Sequence, residues 1–145
     1  NIINFTNDGV VFMKMERIYS SAVSEPAPGL WSNCKRLGNQ VFLSGLVALD
    51  VDGNLQGVED PHAQAVLIFK NMRHYMEAAG GAMQDVIKVT IYVTDMRHRP
   101  SVLEARREFF SGDFPCSTLI GVSELVDPRM LVEIDAVGFI GAGED

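Results

Sequence analysis

The chain has 145 residues, of which 47% are hydrophobic and 21% are charged, and its formal net charge is −7. This size and composition predict one globular domain with a sizeable core. The acidic balance disfavours a polyanion-binding protein, which needs a basic face to displace counterions, and no apolar run is long enough to span a membrane.

The first 14 residues match nothing that follows and begin without methionine. We interpret residues 1–14 as an N-terminal extension or an artefact of the gene boundary, with Met15 as the native start and residues 15–145 as a single domain. No basic segment followed by an apolar stretch opens the chain, so the sequence shows no secretory signal.

Cys34 and Cys116 match neither a zinc site nor a dense disulfide framework. They indicate free thiols in a reducing, cytoplasmic compartment, with one disulfide as the alternative.

The N-terminal half begins with strand patterns. The segment RIYSS at 17–21 is a short strand candidate, and SNCKRL and QVFLSGLVAL between 32 and 49 predict two more strands. Gly38-Asn39 between these two runs predicts a tight hairpin turn.

Asp60-Pro61 predicts the start of a helix, with an acidic N-cap followed by proline at the first helical position. Gly80-Gly81 predicts its end. Helical spacing places six residues on its buried face: Ala65, Ile68, Met72, Tyr75, Met76 and Ala79.

A strand follows at 86–94, in which alternation predicts two faces. One face has Ile87, Val89, Ile91 and Val93, and the other has Lys88, Thr90 and Tyr92. Pro100 then opens a second helix that Gly112 closes, and four of its residues share a face: Val102, Ala105, Arg106 and Phe109. Residues 117–122 and 131–139 are the last two strands.

The predicted order is therefore β-β-β-α-β-α-β-β, which indicates the α+β class with a six-stranded mixed sheet and two helices on one face. Two helices cover only one face of such a sheet. The other face must be covered by something else, and a partner subunit is the simplest explanation.

Metal sites and nucleic-acid patches find little support. Asp50 begins a D-x-D-x-N run, but Leu55 and Pro61 stand where a calcium loop needs glycine and glutamate, so we predict a surface turn. The three histidines share no ligand spacing: His62, His74 and His98. Four arginines form the only basic concentration, which we interpret as a solvated helix face rather than a nucleic-acid patch: Arg97, Arg99, Arg106 and Arg107.

Glu133 and Asp135 are two apart in a strand and therefore project from the same face. They are either a polar face in water or desolvated carboxylates whose pKa is raised towards the range useful for acid–base catalysis. Cys116 likewise allows two interpretations. It is either an unreactive thiol or a nucleophile that a histidine activates.

Several stretches resemble the RidA/YjgF family, the reactive-intermediate deaminases also known as L-PSP endoribonucleases. They are LGNQVFLSG at 37–45, QAVLIFKNMRHYMEAAGG at 64–81, DVIKVTIYVTDM at 85–96, REFF at 107–110, FP at 114–115 and VEIDAV at 132–137. The resemblance implies a chorismate-mutase-like fold and a homotrimer with three intersubunit clefts. It also implies hydrolysis of an enamine or imine to ammonia and a 2-keto acid, with no cofactor.

The resemblance places the family's catalytic glutamate at Glu133, its aromatic cover at Trp31, and its Ser-Gly pair at Ser44 and Gly45. The family's carboxylate-binding arginine falls on Ser117, and a family asparagine falls on Leu103, so both groups are absent. Four residues would form the remaining substrate wall: Cys116, Ser117, Thr118 and Leu119.

Without that arginine, the chain resembles the arginine-lacking branches of the family, including proteins similar to 2-aminomuconate deaminase. The function expected is a cofactor-free deaminase acting on a small enamine, imine or aminomuconate-type metabolite. One alternative is a non-catalytic trimer that binds a small metabolite. The other is an endoribonuclease, against which the acidic pI of about 4.9 argues.

Overall fold

The computed structural model describes residues 13–143. The extension predicted for residues 1–14 lies outside this range, apart from residues 13 and 14. Two helices and six strands form the fold, and we number them in chain order. The helices are α1 (Pro61–Ala78) and α2 (Arg99–Arg106), and the strands are β1 (Met15–Arg17), β2 (Cys34–Leu37), β3 (Gln40–Leu46), β4 (Val86–Val93), β5 (Cys116–Gly121) and β6 (Val132–Phe139).

The six strands form one sheet in the order β1-β2-β3-β6-β4-β5. β4 and β5 are parallel, and α2 lies between them in the chain, whereas the other neighbours are antiparallel. The predicted mixed sheet, the element order and the α+β class are therefore confirmed. Of the described helices, none is both long and apolar enough to cross a membrane.

The hairpin between β2 and β3 turns at Gly38, whose φ of 59° lies in the left-handed region, as predicted. The strand predicted at 17–21 is displaced, because β1 ends at Arg17. Arg17 pairs with Lys35 near the start of β2, and the Ile18 amide still donates to the Cys34 carbonyl at 2.9 Å. β2 begins at Cys34, so the residues beyond Ile18 have no strand to pair with.

Helix α1 begins and ends as predicted. The Asp60 carboxylate accepts a hydrogen bond from the Ala63 amide at 3.0 Å, and proline occupies the first turn. The predicted apolar face is buried throughout. At the other end Gly80 has a φ of 93°, and Arg36 donates from Nη1 to the Ala79 carbonyl at 2.8 Å.

Two local predictions need correction. Helix α2 ends at Arg106 rather than near Gly112, and turns cover residues 107–109. Ile87 is 46% exposed and does not share the buried face of β4, because the pairing of β4 with β6 shifts between Val86 and Lys88. Such a bulge displaces one residue from the alternation, so Val86 is buried in its place.

The sheet has two unlike faces. The face that packs on the helices is buried and apolar, and it includes Val41, Leu43, Val89, Ile91, Val93, Val132, Ile134 and Ala136. We call the opposite side the open face. There Phe42 and Ile120 are each 43% exposed and Phe139 is 39% exposed. Glu133 and Asp135 lie on this open face, two residues apart on β6.

Candidate functional site

Glu133 lies near the middle of the open face, on a strand flanked by β3 and β4. It pairs with Tyr92 of β4 in the register. Its side chain is half-buried, and no described residue donates a hydrogen bond to its carboxylate. Burial, and secondarily the charge of Asp135, raises the pKa of the Glu133 carboxyl. A carboxylate in this state is suited to accept a proton from water.

Asp135 has different surroundings from Glu133. The Tyr92 hydroxyl donates to its Oδ2 at 3.0 Å, and this bond raises the pKa of Tyr92. The predicted common face of the two carboxylates is thus confirmed. Asp135 holds a neighbouring side chain, whereas the Glu133 carboxylate is left to interact with a ligand or water.

Gly45 brings the backbone of β3 close to the Glu133 side chain. The β3–β6 register shifts between Leu43 and Leu46, and a Cβ atom added at residue 45 would overlap the Glu133 carboxylate. Ser44 fixes this irregular segment, because its hydroxyl donates to the Ser32 carbonyl at 2.6 Å and its amide donates to the Asn33 carbonyl at 2.9 Å. The pair Ser44-Gly45 therefore shapes the backbone beside Glu133.

Trp31 forms a wall shared by two cavities. One has a volume of about 210 Å³ and is also lined by Gly45. The other, of about 410 Å³, is also lined by Ser44 and Phe42. The indole is 56% exposed, although its Nε1 donates to Asn33 Oδ1 at 2.9 Å. The structure therefore brings four of the predicted site residues into one region: Trp31, Ser44, Gly45 and Glu133.

Behind Trp31 lies a hydrogen-bond network that sequence reasoning missed. Asn33 donates from Nδ2 to the Tyr75 hydroxyl at 2.9 Å and to the Ser24 carbonyl at 3.1 Å. Tyr75 in turn donates to Glu25 Oε1 at 2.7 Å. The sequence did contain a signal for this network, since a tyrosine on the predicted buried face of α1 needs a hydrogen-bond partner for its hydroxyl. This network orients the indole from below.

The predicted residues on β5 are divided between the two faces. Ser117 pairs with Val89 and Leu119 pairs with Ile91, so these two lie on the helix side of the sheet. Cys116 and Thr118 pair with Lys88 and Thr90 and therefore lie on the open face.

β5 is an edge strand, separated from β6 by β4. Two strand spacings amount to roughly 10 Å. Within one chain, the structure therefore does not bring Cys116, Ser117, Thr118 and Leu119 together with Glu133.

Both cysteines are free, as predicted. Cys34 is buried at the start of β2, where burial, and secondarily the charge of Glu25, raises its pKa to about 12. Cys116 is exposed on β5.

The predicted surface turn at Asp50 is also confirmed, because its Oδ1 accepts the amides of Asp52 and Asn54. Within residues 13–143 no cluster of three histidine, cysteine, aspartate or glutamate side chains is placed to hold a metal ion.

The fold and this region define a class, an α+β protein with two small cavities beside Trp31 and, among the described residues, an unpartnered carboxylate at Glu133. The profile of the endoribonuclease L-PSP family matches residues 23–140. The chain therefore belongs to this family, also called RidA/YjgF.

A relative from Dermatophagoides farinae, a 2-iminobutanoate/2-iminopropanoate deaminase, is 32% identical over 125 residues, which cover 86% of this chain and 97% of the relative. A protein of unknown function from Pseudomonas aeruginosa has 34% identity and a TM-score of 0.81, covering 91% of this chain and 96% of that chain. RidA from an Antarctic Psychrobacter species has 28% identity and a TM-score of 0.78, covering 86% of this chain and 99% of that chain.

Proposed function

We propose that the chain is a cofactor-free hydrolase that converts a small imine or enamine acid into a 2-oxo acid and ammonia. The observation that carries the proposal is the half-buried carboxylate of Glu133, which has no hydrogen-bond donor among the described residues and a raised pKa. The deaminase that is similar to this chain over most of its length supports the same type of reaction.

In this mechanism Glu133 orients a water molecule and accepts its proton as the oxygen adds to the carbon of the C=N bond. The electron pair of that bond moves to nitrogen, which takes up a proton. In the resulting carbinolamine the C–N bond breaks, ammonia leaves, and the hydroxyl loses its proton to form the carbonyl. An enamine first tautomerises to the imine. The sum is one imine and one water giving one ketone and one ammonia.

The complete site would need more than one copy of the chain. In a single chain β5 lies too far from Glu133, while the open face exposes Phe42, Ile120 and Phe139. We infer a homotrimer in which the β5 residues Cys116–Leu119 of one subunit face the Trp31–Gly45–Glu133 region of its neighbour. The substrate then lies in the cleft between the two, and Trp31 limits its access to bulk water.

The end of the substrate that faces β5 would contact the side chains of Ser117 and Thr118 and the backbone amides of this strand. Because β5 is an edge strand, half of its amides make no hydrogen bond within the sheet and can donate to a ligand. A serine hydroxyl offers one neutral donor, whereas an arginine offers a charged fork. Residue 117 by itself therefore binds a carboxylate more weakly than an arginine would, and an amino-diene acid such as 2-aminomuconate is a candidate substrate beside the simplest imino acids.

The test is ammonia release from 2-aminoacrylate and from 2-aminomuconate by the wild type and by Glu133→Ala. We expect turnover of at least one substrate by the wild type and its loss in the variant. No turnover of either, or equal turnover by the variant, contradicts the proposal.

A second candidate is a trimer that binds a metabolite without converting it. It is favoured by Ser117 and Leu103, which stand where the resemblance places an arginine and an asparagine. Retention of a metabolite with no product by mass spectrometry would support it. RNA cleavage that persists after nuclease-free repurification would instead support the endoribonuclease.

A further inference from the structure

Arg106, in the last turn of α2, has a guanidinium group without an ion-pair partner among the described residues. Its Nε atom is buried and has no hydrogen-bond acceptor within residues 13–143. The guanidinium carbon lies 5.2 Å from the centre of the Phe114 ring. The ring covers the cation on one side but supplies no oxygen atom.

The described arginines away from the two helices are paired. Of those on the helices or directly after them, Arg99 and Arg107 have no ion pair either but are exposed, and Arg73 lies over the Phe109 ring. Arg36 donates to the carbonyls of Gly38 and Ala79, and two arginines form ion pairs with aspartates two residues before them, Arg97 and Arg129. Arg17 has the only other buried Nε without an acceptor in the described range, but its Nη2 lies 3.5 Å from Glu25. No carboxylate of the described residues is within salt-bridge distance of Arg106.

The surroundings of Arg106 add to the cost of its charge. Burial, then the positive charges of Arg107 and Arg99, lowers the pKa of the guanidinium. A partly buried cation with cationic neighbours and no counterion is unfavourable, and an anion that supplies oxygen acceptors would relieve this cost. An exposed arginine free in water would have no such requirement.

The position of Arg106 connects it to the edge strand. Phe114 is separated from the first residue of β5 only by Pro115. Ser117 lies on the helix side of the sheet, the side on which α2 packs, and Cys116, Ser117 and Thr118 are all exposed. Arg106 and Ser117 thus flank the same edge of the molecule. The contact of Arg106 with Phe114 places its guanidinium next to the segment that leads into β5.

We propose that the junction of α2 and β5 binds a small carboxylate, with the guanidinium of Arg106 as its charged partner and the hydroxyl of Ser117 as an additional donor. The inference rests on the proposed function in one respect, since the carboxylate would belong to the imine or enamine acid. The site then recognises acids even though residue 117 is a serine, because the cation comes from α2.

The test compares pyruvate binding to the wild type, Arg106→Gln and Arg106→Lys, by isothermal titration calorimetry at low ionic strength. Arg107→Gln is the matched control, because it removes the same charge from the adjacent, exposed residue. Inorganic phosphate is titrated in parallel. Thermal unfolding of every variant verifies that the fold is retained.

We expect Arg106→Gln to weaken pyruvate binding by about 10-fold or more, the range for loss of a charged hydrogen bond. Arg106→Lys should lose less, and Arg107→Gln should change the affinity by less than about twofold, the size of a screened surface charge effect. Equal losses in the two glutamine variants, no pyruvate binding by the wild type, or preference for phosphate over pyruvate would overturn the proposal.

Ammonia release measured on the same variants separates this site from the proposed function. If the wild type releases ammonia and Arg106→Gln keeps the same KM, the Arg106 site is wrong and the hydrolase stands. If pyruvate binding depends on Arg106 and no imine or enamine is hydrolysed, the anion site stands and the hydrolase is wrong.

Discussion

Glu133 and Asp135 are separated by one residue on β6, but their carboxylates have different partners. Asp135 accepts the hydroxyl of Tyr92, and Glu133 accepts no hydrogen bond from a described residue. The sequence predicts their common face from the two-residue period of a strand. It could not predict which carboxylate is free, because that depends on how the Tyr92 side chain crosses from β4.

Glu133→Gln should stabilise the protein at neutral pH. The raised pKa of Glu133 means that the folded state holds its proton more tightly than the unfolded state does. Its ionisation therefore lowers the free energy of unfolding as the pH rises from its ordinary pKa of 4.5 through the raised value.

Thermal unfolding between pH 4 and pH 8 measures this effect. The melting temperature of Glu133→Gln should exceed that of the wild type at pH 7, and the difference should shrink as the pH falls below about 4.5. Glu77→Gln, a change at an exposed position of α1, is the control variant. A wild type that is the more stable at pH 7 would contradict the assignment of Glu133 as a desolvated carboxylate.

At the level of elements, regular segments were predictable and irregular ones were not. The N-cap at Asp60 and the period of the apolar residues define α1, since both signals lie within the helix itself. The irregular pairings near Val86 and Gly45 depend on the partner strand instead. That dependence is why the alternation in 86–94 placed Ile87 on the wrong face.

Gly45→Ala tests the irregular segment of β3. The added methyl group would overlap the carboxyl end of Glu133 rather than backbone, so the flexible side chain should move and the fold should survive. We expect ammonia release to fall about 100-fold or more, the smaller end of a general base's contribution, with little change in melting temperature. Activity close to that of the wild type would show that the position of the carboxylate is not critical.

At the level of the whole molecule, the sheet order decides which predicted site residues meet. The sequence shows which segments are strands, but the order β3-β6-β4-β5 arises from long-range pairing and leaves β5 at the edge. The predicted wall at 116–119 and the predicted catalytic Glu133 are therefore apart within one chain. Self-association is what would bring these two parts together.

Phe42→Asp tests that association, because Phe42 is 43% exposed on the open face. We expect light scattering to give the wild type a mass three times that of the chain, and the variant a smaller mass, because a charge in an apolar interface is strongly unfavourable. Val126→Asp is the control, since Val126 is 88% exposed outside the sheet. A monomeric wild type, or a variant that stays trimeric, would contradict the intersubunit cleft.

The most direct test of the hydrolase is the pH dependence of ammonia release from the better of the two substrates. For the wild type, kcat/KM should rise with pH through an apparent pKa above the 4.5 ordinary for glutamate, because the base must be ionised to accept a proton. Glu133→Gln should lower kcat/KM by about 100-fold or more and remove this rise. A variant that keeps both the rate and the pH profile of the wild type would contradict the central role of Glu133.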